Sequence, residues 1–150
     1  SEQQKRVKGY IDKGVEEGAE LLSGGNIPYS QGYFVAPTIF ADVNHSMTIA
    51  KEEIFGPVVA AMPFSDIDDL IEKANDSHYG LAAGVWTQDI KKAHYIAHRL
   101  DAGTVWVNCY NVFDAASPFG GYKQSGIGRE MGSYALNNYT EVKSVWINME

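Results

Sequence analysis

Cysteine is nearly absent from this chain: Cys109 is the single one in 150 residues. One thiol excludes a disulfide within the chain and fits a reducing compartment. Basic residues are also scarce, with 12 Lys and Arg against 19 Asp and Glu and a formal net charge of -7. No basic excess exists to displace counterions from phosphates, which excludes nucleic-acid binding by bulk charge. No apolar run approaches the roughly 20 residues that span a bilayer, so no membrane partner is expected. The opening "SEQQKRVKGY" is polar and charged and does not read as a signal peptide. Repeats and low-complexity linkers are missing too. What remains is 45% hydrophobic residues, enough for one folded domain with a real core.

The spacing of Val7, Ile11, Val15, Ala19 and Leu22 predicts an amphipathic helix over 2–22, stopped by Ser23-Gly24-Gly25. "GYFVAPTIF" is strand-like, with Pro37 pointing to an edge or a bulge. The middle is more regular. "GPVVAAMPF" (56–64) has strand length, and Ser65 with Asp68 three residues on forms a capping-box pattern for a helix to about Asn75. "LAAGVWT" (81–87) follows as a second buried strand. Ile90, Ala93, Ala97 and Leu100 then share one face of a helix over 89–101, and "TVWVNCY" (104–110) is a third strand. Strand, helix, strand, helix, strand with short joints predicts an α/β, three-layer, mostly parallel sheet with crossover helices. Residues 111–133 are rich in glycine without clear periodicity, and a loop of that length is usually functional. "YTEVKSVWINME" reads as a terminal strand placed to pair with another segment or another chain.

Four features invite a chemical reading. In "SPFGGYKQSGIGRE" (117–130), Lys123 precedes Gly126, the wrong register for a phosphate loop. Gly126 and Gly128 are followed by Met131, so the dinucleotide fingerprint fails as well. The glycines fit tight turns or a close backbone approach better. Cys109 lies in a strand expected to be buried, with no basic neighbour in sequence to lower its pKa, so it reads as structural. His94 and His98 share a helical face without an identifiable third ligand. In "AKEEIFGPV" (50–58), a carboxylate and an aromatic stand at the entry to a core strand. A carboxylate can accept hydrogen bonds from two vicinal hydroxyls, as a ribose offers, and an aromatic can pack on a flat ring. Two exposed loop acids remain an equal reading of the same residues.

"KEEIFGPV", "YGLAAGVWT", "AGTVWVNCYNVF", "SPFGGYKQSGIGRE" and "YTEVKSVWI" together resemble the NAD(P)-dependent aldehyde dehydrogenases. The resemblance covers essentially the whole chain but only the C-terminal part of the family's catalytic domain. It implies that Glu53 binds the hydroxyls of the nicotinamide ribose and that Phe55 packs by the nicotinamide end. It implies that Phe113 and Phe119 lie near the aldehyde tunnel. Asn108 and the Gly120, Gly121, Lys123 and Gly126 signature would support local architecture. Asp114 departs from a position where a small residue is common. No catalytic residue is expected here, because the family's nucleophilic cysteine, general-base glutamate and dinucleotide-binding domain lie upstream; no metal is expected either. The resemblance assigns 1–139 to the catalytic domain and 140–150 to a strand that joins subunits of a homo-oligomer.

The expected function is therefore that of a C-terminal fragment. Its parent would oxidise aldehydes to carboxylates with NAD or NADP, in the cytoplasm, or in the mitochondrial matrix should a targeting segment precede Ser1. The chain alone is expected to be inactive and to bind the dinucleotide weakly or not at all. Without its upstream half it should expose apolar surface or self-associate. The alternatives are a non-catalytic oligomerising module, discriminated by its edge strand, and a thiol enzyme using Cys109.

Overall fold

The computed structural model describes all residues from Ser1 to Glu150. The chain divides into two compact units, Ser1–Asp66 and Ile67–Glu150, each with its own internal packing.

The first unit opens with helix α1 (Glu2–Glu16), which buries Val7 and Ile11. The helix stops six residues earlier than its apolar spacing predicts. Gly18 adopts a φ of +93°. Its N–H donates to the Val15 carbonyl (3.1 Å), and the Ala19 N–H donates to the Gly14 carbonyl (3.0 Å). This pair of bonds is a Schellman termination, which a left-handed glycine makes at low cost. Ala19 still reaches the core, but Leu22 belongs to strand β1 (Glu20–Ser23).

β1 pairs antiparallel with β2 (Thr38–Ala41), and β2 pairs parallel with β3 (Val58–Ala60). The strand expected across "GYFVAPTIF" begins only after Pro37, which has no N–H to give a ladder. β2 is central, and its Phe40 and Thr38 are almost fully buried. The Thr38 hydroxyl donates to the Ala36 carbonyl (2.8 Å) and accepts from the Gly25 N–H (3.0 Å), so burial leaves it satisfied. Val7, Ile11, Ala19, Phe40, Val43, Ile49 and Ile54 form the core.

The short helix α2 (Thr48–Lys51) has no cap from its own N-cap residue. Glu17 replaces it from the end of α1. The Thr48 hydroxyl donates to Glu17 Oε1 (2.6 Å) and the Thr48 N–H donates to Oε2 (2.7 Å). These two bonds, the hydroxyl's first, hold the Glu17 carboxyl below its usual pKa. A carboxylate with a lowered folded pKa stabilises fully above its unfolded pKa, about 4.3, and loses that contribution as pH falls through the folded value. Glu17→Gln should therefore flatten the acid limb of the stability curve below about pH 5, read as urea midpoint against pH. An acid limb parallel to wild type would show that the Thr48 bonds do not couple to folding.

The second unit runs α3 (Ile67–Asn75), β4 (Tyr79–Gly80), β5 (Ala82–Val85), α4 (Ile90–Ala97), β6 (Thr104–Val107), β7 (Tyr122–Lys123) and a 3-10 helix (Ser133–Asn138). Asp89 caps α4 by accepting from the Lys91 N–H (2.9 Å) and the Lys92 N–H (3.2 Å). α4 is shorter than the expected 89–101, and its buried residues are Ala93 and Ile96, while Ile90 is exposed. β5 and β6 pair in parallel from Ala82 opposite Thr104 to Val85 opposite Val107. They are the one strand–helix–strand crossover of this unit. β4 and β7 pair antiparallel. The parallel strands thus occur as two separate pairs, β2–β3 and β5–β6, in small sheets.

Cys109 is a correction: it is exposed. β6 ends at Val107, and Asn108 takes a left-handed φ of 53°. The Asn108 amide then bonds both backbone groups of Thr87, accepting from its N–H (2.9 Å) and donating to its carbonyl (2.8 Å). This turn carries Cys109 out of the sheet.

Residues 140–150 form no helix or strand within the chain. Val142, Val145, Trp146, Ile147 and Met149 are all strongly exposed, Trp146 by 93%. No helix is long and apolar enough to cross a membrane.

Candidate functional site

In the first unit, the chain leaves α2 with Glu52 in an extended conformation and runs on without helix or strand through Glu53, Ile54 and Phe55. Ile54 is buried in the core, so its neighbours on either side turn outward. Glu53 is exposed, and Phe55 is 77% exposed. The Phe55 ring lies outside the core of this unit. Phe55 also has a φ of +54°, a region that costs a non-glycine residue about 1–3 kcal/mol and is tolerated where the surroundings impose it.

Helix α1 supplies that constraint. Gln3 Nε2 donates to the Phe55 carbonyl (2.8 Å) and more weakly to that of Ile54 (3.4 Å). The Arg6 guanidinium donates to the Glu53 carbonyl (2.9 Å). The Tyr10 hydroxyl donates to the Glu52 carboxylate (2.8 Å). Positions 3, 6 and 10 share one helical face, and Arg6 lies 5.6 Å from the Tyr10 ring centre. The segment is thus gripped by its main chain and by Glu52, while the Glu53 carboxylate faces outward. The sequence marks Glu53 and Phe55 but not Gln3, Arg6 and Tyr10. Their signal was a polar stripe on α1, which reads as an ordinary solvated face.

In the second unit, Phe113 and Phe119 meet edge to face, with centroids 5.1 Å apart and planes at 82°. Phe119 is fixed by a two-bond bridge, its N–H and carbonyl pairing with Glu130 at 2.7 Å each. Phe113 also meets Trp106 edge to face at 5.5 Å, and Trp106 meets Tyr110 at 5.0 Å. Asp114 turns into its own loop: its carboxylate accepts from the Ala116 N–H (2.7 Å), and its carbonyl from the Ser117 N–H (2.9 Å).

The basic residues of the glycine-rich stretch are engaged inside their own unit. Lys123 Nζ donates to the Asn75 carbonyl (2.6 Å) and pairs with Asp101 (3.4 Å). Arg129 donates to the carbonyls of Gly121 (3.1 Å) and Gly128 (2.7 Å). It also lies 5.3 Å from the Tyr122 ring centre. Such a loop braces itself; neither cation is aimed at an external phosphate.

The model of the aldehyde dehydrogenase family matches residues 1–145. The chain is 70% identical over 149 residues to DhaS of Bacillus subtilis (strain 168), covering 99% of this chain and 30% of that protein. It is 57% identical over 145 residues to the mitochondrial aldehyde dehydrogenase of Homo sapiens, covering 97% and 28%. Among solved structures, the NAD+ complex of an aldehyde dehydrogenase from Bacillus cereus superposes with a TM-score of 0.95. It shares 62% identity and covers 100% of this chain and 30% of its own. The chain spans under a third of the length of these relatives. With its match running over nearly every residue, this chain belongs to the aldehyde dehydrogenase family.

Proposed function

We propose that this chain is the C-terminal part of an enzyme that oxidises aldehydes to carboxylates with NAD or NADP. The observation that carries the reading is the pairing of an outward carboxylate, Glu53, with an open aromatic, Phe55, on a segment held rigid from behind. A carboxylate so placed accepts hydrogen bonds from the two hydroxyls of a ribose, and the exposed ring packs against a flat heterocycle. When bound, the dinucleotide supplies a hydride acceptor. Phe113 and Phe119 supply an apolar wall for the aldehyde, which favours hydrophobic substrates.

The family's nucleophilic cysteine and general-base glutamate belong, on this reading, to the larger part of the relatives that the chain does not span. The chain alone is then inactive. Residues 140–150, exposed and apolar on one alternation, would pair with the sheet of a second subunit. A cytoplasmic or mitochondrial-matrix setting is part of the same proposal.

The test uses the full-length enzyme. Glu53→Gln should raise the KM for the dinucleotide about 10- to 100-fold, the size expected for losing hydrogen bonds to a charged group, with the aldehyde KM little changed. The isolated chain should give no aldehyde-dependent rise in NADH absorbance. An unchanged dinucleotide KM would remove Glu53 from the cofactor site, and NADH formation by the isolated chain would overturn its inactivity.

A further inference from the structure

We propose that Trp106 is a positioning residue for aldehyde selectivity, acting by holding Phe113 in place. This rests on the reading of Phe113 as part of the aldehyde's apolar wall.

Phe113 lies in a stretch with no regular structure to order it: residues 108–118 form neither helix nor strand, and both Asn108 and Asn111 are left-handed. A half-exposed phenylalanine on such a loop would exchange rotamers freely unless something fixed both its backbone and its ring. Trp106 does both. It is 8% exposed and is the buried residue of β6, so it is itself anchored in a hydrogen-bonded strand. Its indole N–H donates to the Val112 carbonyl at 2.8 Å, pinning the peptide that leads directly into Phe113. Its ring then meets the Phe113 ring edge to face, at 5.5 Å and 89°. On its other flank Phe113 meets Phe119, whose backbone is fixed by the Glu130 bridge.

One buried ring therefore ties an irregular loop to the sheet at two points around a single side chain. A buried indole requires a partner for its N–H. The partner here is a loop carbonyl rather than part of the sheet, which makes the bond a device for the loop. Small displacements of Phe113 change the width of the wall. A bulky aldehyde feels such a change, and a two-carbon aldehyde does not.

The test compares Trp106→Phe, Phe113→Ala and the double variant in the full-length enzyme, with acetaldehyde and benzaldehyde as probes. Trp106→Phe keeps an aromatic ring but deletes the N–H donor. It should raise the KM for benzaldehyde about 10-fold, within the range by which pocket contacts discriminate substrates, while leaving kcat and the acetaldehyde KM within about twofold. In the double variant, Trp106→Phe should add nothing further, because residues acting through one another are non-additive. If Phe113→Ala leaves the benzaldehyde-to-acetaldehyde preference unchanged, the wall reading itself falls. If Phe113→Ala shifts that preference and Trp106→Phe does not, the positioning role alone falls. A uniform loss of kcat on both aldehydes with a lowered Tm would make Trp106 a fold residue only and overturn the proposal. Should Trp106→Phe not fold, benzothienylalanine at position 106 preserves the shape without the N–H and serves the same comparison.

Discussion

Gly103→Ala should destabilise the protein by about 3 kcal/mol or more, at the upper end of overpacking costs. The reason is not backbone freedom. Gly103 joins α4 to β6, and its N–H donates to the Gly80 carbonyl at 3.0 Å. A Cβ at this position would stand 1.7 Å from the Gly120 carbonyl oxygen, 2.8 Å from the Gly120 carbonyl carbon and 3.3 Å from the Gly121 Cα. All three are main-chain atoms, so no rotamer change relieves the clash. The 119–123 backbone would have to withdraw. It is tied on one side by the Phe119–Glu130 bridge and on the other by the β4–β7 pairing. Urea unfolding at a fixed m-value is the measurement. A loss below about 1 kcal/mol would show the glycine-rich loop to be only loosely seated on Gly103.

Phe40→Ala should cost about 3–5 kcal/mol, the range for deleting a buried phenyl ring. Phe40 has 0% exposure on the central strand of the first sheet and sits in the core with Val7, Ile11 and Ile49. These neighbours come from α1 and α2, elements with their own hydrogen-bonded frames, which limits collapse into the cavity. The adjacent Ile39 faces the other side of the sheet and is 43% exposed. Its replacement by alanine should cost well under half as much, since less area leaves water contact. Equal losses at 39 and 40 would contradict the register that buries Phe40.

The two positions illustrate different degrees of legibility. Phe40 sits in "PTIF", a run whose apolar character already points to a strand, and its burial follows from period-two alternation once the register is known. Gly103 reads in sequence only as a helix stop. That its hydrogen atom faces a carbonyl from seventeen residues later is a fact of long-range packing, which no local pattern encodes. The early end of α1 lies between these cases. Its spacing of apolar residues continues to Leu22, but Gly18 terminates the helix because a left-handed glycine closes the last carbonyls. The exposure of Cys109 turns on the left-handed Asn108, whose side chain finds Thr87 across the parallel pair.

By itself, the sequence determined the class and order of most elements, because hydrophobic periodicity and caps act within a few residues. It also showed that "SPFGGYKQSGIGRE" matches neither phosphate-binding register, which such a cradle demands locally. Only the tertiary structure decided what that stretch does instead. Its lysine and arginine are spent on carbonyls and an aspartate of the same unit, and its backbone lies against Gly103. It likewise decided that Gln3, Arg6 and Tyr10 hold the Glu52–Phe55 segment, and that Trp106 bonds the Val112 carbonyl and meets the Phe113 ring. The physical reason is common to all three. Each rests on side-chain hydrogen bonds whose partners are set by the course of the chain in space, over 42 to 52 residues for Gln3, Arg6, Tyr10 and Lys123 and over six for Trp106, and the residues that make them carry no periodic mark.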